Sequence, residues 1–148
     1  MATLSIIGMV IFAVLMLFMS MTYGTQQSIS ALAGKWRWLL LVTLWSQILL
    51  LPQMLEITPT NWQWLCFFGI GAIIFCGGAN IFEKSDELFH MVCAVVAFVF
   101  LTAWVIVINP YLILPLIVCI CVGKERWKLR AEVGLIISVY MAILLSIA

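Results

Sequence analysis

The sequence predicts an all-α membrane protein: a bundle of six transmembrane helices, N-out/C-out, with short basic cytoplasmic loops. Three observations predict it: the apolar composition, the long apolar segments, and the basic residues gathered in alternate connections. Of the 148 residues, 66% are apolar and 9% charged, against about 25% charged in a soluble domain. A water-soluble fold of this size has too little interior to hide that surface, so the solvent is lipid. The length suits one polytopic domain over residues 1–148. A net charge of +1 gives no basic face for nucleic acid.

Six apolar segments follow in order, at about 4–23, 37–55, 62–82, 88–108, 110–123 and 131–147. A helix needs about 20 residues to cross about 30 Å of hydrocarbon. The first segment lacks a basic flank and a small-x-small cleavage site, so it reads as a retained span. No lipidation pattern is present. Residues 24–34 form the longest polar linker, with room for a short interfacial helix. The second segment carries Pro52 near its end, and the third is rich in glycine. The stretch from Leu88 to Gly123 would make a helix of about 54 Å, too long for one crossing. Asn109-Pro110 divides it, because that pair favours a turn and proline removes a backbone donor. The fifth segment is short, and Pro115 is placed to kink it. None of the segments alternates as a barrel strand does.

Charge placement supports six crossings. Lys35 and Arg37 lie between the first and second segments, Lys84 between the third and fourth, and Lys124, Arg126, Lys128 and Arg130 between the fifth and sixth. With six spans all 7 basic residues fall on one face, which positive-inside logic makes cytoplasmic. Trp36, Trp38, Trp62, Trp64 and Trp127 sit at segment edges, where indole favours the headgroups; Trp45 and Trp104 lie deeper and are expected to face protein or a cavity. Minimal loops and no sorting signal point to a bacterial inner membrane.

Polar residues within the spans are the candidate functional groups. Thr43, Ser46, Gln47 and Gln53 form a stripe on the second span, and Asn80 ends the third. Such side chains either join helices by hydrogen bonds or line a hydrated pathway. Glu87 and His90 would mark its entrance, since His90 lies one turn inside the fourth span, where an ionisable side chain is a functional candidate. Glu87-x-x-His90 also matches half of a di-metal carboxylate–imidazole motif. The bland reading makes Ser85 an N-cap, with Asp86 and Glu87 in the first turn complementing the helix dipole.

Ser85, Asp86 and His90 resemble a fragment of the alkaline-ceramidase-like intramembrane hydrolases. The resemblance covers only these residues and implies a lipid-modifying enzyme that holds zinc through several histidines. This chain has 1 histidine, so that ligand set is not carried over.

Gly69, Ala72, Cys76 and Ala79 recur at helical spacing as a close-packing interface, within the chain or between subunits. Lys124, Arg126, Trp127, Lys128 and Arg130 suit anionic headgroups or a docking partner. The five cysteines, Cys66, Cys76, Cys93, Cys119 and Cys121, all lie in apolar runs and read as small hydrophobes. Cys119 and Cys121 are too close in sequence to share a helix face. No nucleotide loop, Ser–His–Asp set or multi-histidine motif is visible, so the expectation is no catalytic activity, no cofactor and no metal. The expected class is an oligomeric transporter or channel-like conduit for a small solute or ion. The contrasting class is an accessory or scaffold subunit of a membrane complex, and a third is an intramembrane lipid-modifying enzyme.

Overall fold

The computed structural model describes residues 2–23, 37–79, 87–122 and 126–148. Among them every regular element is helical: α1 (Ala2–Tyr23), α2 (Arg37–Trp45), α3 (Leu51–Ile57), α4 (Trp64–Ala79), α5 (Glu87–Ile108), α6 (Leu114–Cys121) and α7 (Trp127–Ile147). Three 3₁₀ segments, Ser46–Leu50, Thr60–Trp62 and Pro110–Ile113, precede α3, α4 and α6.

Two prolines explain two of these 3₁₀ segments. Pro52 has no N–H for the carbonyl of Ile48, four residues earlier, and its ring crowds that oxygen. The backbone tightens, and the N–H of Leu51 donates to Ile48 O instead. Pro115 has the same effect on Tyr111, whose carbonyl is taken by the N–H of Leu114. The span Trp38–Ile57 therefore stays continuous through α2, the 3₁₀ turn and α3.

Among the described residues, five helical spans are long and apolar enough to cross a membrane: Ala2–Thr22, Trp38–Ile57, Thr60–Gly78, Leu88–Ile108 and Trp127–Ile147. The remaining apolar helix, Pro110–Cys121, reaches only about 18 Å at 1.5 Å per residue. It occupies the segment expected to be the shortest span, and Asn109 starts it by accepting the N–H of Tyr111 at 3.0 Å on its side chain.

Helices pack where glycine lets them. A Cβ on Gly134 would lie 2.8 Å from Leu116 Cα and 2.9 Å from Cys119 Cβ, so α6 lies directly on α7. A Cβ on Gly8 would lie 2.9 Å from Ser46 O, so α1 rests on the 3₁₀ turn. Ser5 strengthens that contact by donating to Leu49 O at 3.3 Å. The α4–α5 pair and the α6–α7 pair are the closest partnerships, and α7 also touches α1, α3 and α5. The main core gathers Met54, Leu65, Ile70, Trp104, Val105 and Ile143. Outward faces of α1 and α5, including Val14, Leu17, Val95 and Val99, are exposed and apolar, as suits lipid.

Trp104 is fully buried and donates its indole N–H to Thr58 Oγ1 at 2.7 Å. Thr58 in turn donates to Met54 O, and Gln63 Nε2 donates to Leu55 O at 2.9 Å. These bonds tie the end of α3 and the start of α4 to α5. Trp45 departs from the expectation that it faces protein or a cavity: its ring is about half exposed at 48%. The indole N–H reaches Ile74 O at 3.2 Å, and a Cβ on Gly77 would lie 3.4 Å from the Trp45 ring.

Candidate functional site

The polar stripe of the second span divides in the folded chain. Thr43 and Ser46 are buried, and their hydroxyls turn back onto their own helix, to Leu39 O and Thr43 O, each at 2.7 Å. Such back-bonding satisfies a hydroxyl in lipid without a partner helix. Gln47 instead crosses the bundle. Its Nε2 donates to Ser46 Oγ at 3.3 Å, and its Oε1 accepts the phenolic proton of Tyr140, on α7, at 2.9 Å. Gln53 is buried on α3. Asn80 lies outside the described residues, as do Ser85 and Asp86, Lys124, and the side chains of Ala79 and Glu87.

Gln47 and Tyr140 stand in the wall of a half-open cavity of about 130 Å³ between the helices. Phe12 of α1, Ile73 of α4, Ala97 of α5 and Leu135 of α7 supply other walls, so every long helix contributes. The lining is almost wholly apolar. Phe12 sets its ring edge-on to Tyr140, with centroids 6.2 Å apart, an arrangement favoured by the ring quadrupoles.

Cys76 and Glu132 also line the cavity. Cys76 Sγ lies 3.3 Å from His90 Nδ1, and the same ring nitrogen lies 3.2 Å from Cys76 O. His90 is therefore held against α4. Of the small residues on α4, Gly69 lies against Leu101 of α5, where a Cβ would meet Leu101 Cδ2 at 2.7 Å. Ala72 and Cys76 are both buried. A Cβ added at Gly71 would have nothing within 4 Å, and this position faces a shallow apolar groove between α4 and α5, edged by Phe67, Phe75 and Phe89.

Among the basic candidates, Arg126, Trp127 and Lys128 are exposed. Lys128 Nζ sits 5.9 Å from the Trp127 ring centroid. Arg130 is half-buried, and its Nη1 has no hydrogen-bond partner among the described residues. Arg126 adopts the left-handed conformation at φ 55 before α7 begins. Among the described residues no three His, Cys, Asp or Glu side chains gather to hold a metal.

Sequence reasoning missed Tyr140, Glu132, Gly8 and Gly134. A signal was present for the last helix: Ala131, Gly134, Ser138 and Ala142 fall at spacings of three, four and four and are all buried. That small-residue face includes Gly134, which packs on α6, while Tyr140 stands on the opposite side of α7.

Described residues whose regular elements are all helical, five of them of crossing length, fit an integral membrane protein with several spans. The chain matches no protein-family model, no curated protein and no solved structure.

Proposed function

We propose that the protein is a conduit for a small neutral solute, built as six spans with both termini outside. One observation supports the conduit reading above the others: the half-open cavity is walled by all the long helices and has Gln47 and Tyr140 at its edge. Its apolar walls suit a neutral solute better than an ion, since an ion needs oxygen ligands or a countercharge to leave water. The sequence positions of the basic residues support the six-span count, with α6 as a short fifth crossing. Minimal connections between spans are the reason for proposing a bacterial inner membrane. Stopped-flow light scattering on vesicles tests the reading, using 1,2-propanediol, 2,3-butanediol and butyramide as neutral osmolytes with an apolar part. One of them should equilibrate faster with protein than without, and Gln47→Leu should slow it at equal protein incorporation. Identical rates in loaded and protein-free vesicles for all three would remove the conduit reading.

A second reading, a homo-oligomer or an accessory subunit of a membrane complex, is favoured by the open face at Gly71 and its phenylalanine-edged groove. Small residues on a lipid-facing helix let a second helix approach closely. Mass measurement in native detergent or nanodiscs distinguishes a lone chain from an assembly.

A further inference from the structure

We propose that the half-open cavity binds a neutral molecule of about phenol size, with an apolar body and one hydroxyl group, held between Gln47 and Tyr140. The inference rests on the reading of this cavity as a solute site and names the chemical class it accepts. Three observations lead to it.

The first is size. The cavity measures about 130 Å³, close to the roughly 150 Å³ of an engineered apolar cavity that takes up benzene. One six-membered ring fits this volume.

The second is the walls. Phe12, Ile73, Ala97, Phe98, Leu135 and Val139 offer only carbon to a ligand, so its body has to be apolar and uncharged. Glu132 lines the wall too, but it lies two turns from Tyr140 along α7, about 12 Å. It is also engaged in an interaction within the protein.

The third is the hydrogen-bonding capacity left at the polar edge. A glutamine amide has two N–H donors and an acceptor oxygen, and a phenol has one O–H and two lone pairs. Gln47 uses one N–H on Ser46 and receives the proton of Tyr140. One amide N–H and the phenolic lone pairs remain. A single hydroxyl satisfies both, accepting from Gln47 Nε2 and donating to Tyr140 Oη. An ether or a fluorine accepts only, and an ammonium donates only, so each leaves one member of the pair unmatched.

The test is fluorine NMR on the full-length protein in detergent, with 4-fluorophenol and fluorobenzene as probes and protein-free micelles as the reference. Saturable binding of 4-fluorophenol is expected, tighter than that of fluorobenzene. Tyr140→Phe should lower this preference about tenfold, the effect of about one hydrogen bond. Ala97→Phe, which fills the cavity, should abolish binding of both probes, and Ala94→Leu provides a milder filling if the larger ring disturbs folding. Photolabelling with 3-azidophenol locates the site without any substitution: label on 94–101 or 135–140 supports the proposal, and label confined to outward faces overturns it. Absence of saturable binding, or a wild-type preference for fluorobenzene, also overturns it. The binding assay is separate from flux. Binding without solute transport removes the conduit and keeps the ligand class, while transport without binding does the reverse.

Discussion

Two hydrogen bonds link side chains far apart in sequence, the buried Trp104 to Thr58 and the part-buried Tyr140 to Gln47. In bilayers such interhelical bonds contribute about 0.6 kcal/mol on average and up to about 1.7. A double-mutant cycle of Tyr140→Phe with Gln47→Leu, read from unfolding in mixed micelles, should give a coupling energy in that range. Trp104 is expected to be the more sensitive position, because its ring is fully buried in the core as well as bonded. Trp104→Ala should cost about 3–5 kcal/mol by leaving a cavity. Trp104→Phe keeps much of the packing and should cost far less in the same assay. Equal costs for the two would mean that the indole packs weakly.

At the scale of elements, prolines and glycines set how the helices meet. Pro52 converts the turn before it to 3₁₀ geometry, where each residue advances about 120° around the axis instead of about 100°. That difference accumulates over Ser46–Leu50, the segment that holds Gln47. Pro52→Ala should let the segment relax toward an α-helix and reduce the Gln47–Tyr140 coupling measured by the same cycle. An unchanged coupling would show that packing alone sets the direction of Gln47. Gly134→Val places a side chain where Leu116 and Cys119 already lie, and overpacking of this kind typically costs about 1–3 kcal/mol. Gly71→Ala is the control, since nothing lies within 4 Å of its new methyl group; its stability should be close to wild type.

For the whole molecule, the length of α6 bears on the number of crossings. Pro110–Cys121 is a 12-residue apolar helix, about 18 Å long, whereas the other spans reach about 29–32 Å. If the bilayer thins locally, or the connection after Val122 completes the crossing, six spans return both ends to one side. Reporter domains fused to each end should then be active in the same compartment, and activity in opposite compartments would favour five crossings.

Composition and hydrophobic run length alone determined that the chain is helical and suited to lipid, because backbone groups in hydrocarbon must bond within their own segment. The breaks at Asn109-Pro110 and the distortions at Pro52 and Pro115 were legible for the same local reason: proline cannot donate. The pairing of helices was not legible. Gln47 could be seen as polar, but its partner Tyr140 is 93 residues away, and nothing local selects it over other polar groups. Trp45 and Trp104 both lie inside apolar segments, yet one faces outward and the other is enclosed. Which face of an evenly apolar helix turns inward depends on the shape of its neighbours, and in lipid no difference in hydrophobicity marks that face beforehand. The cavity exists only where five such faces meet, so tertiary packing decided it.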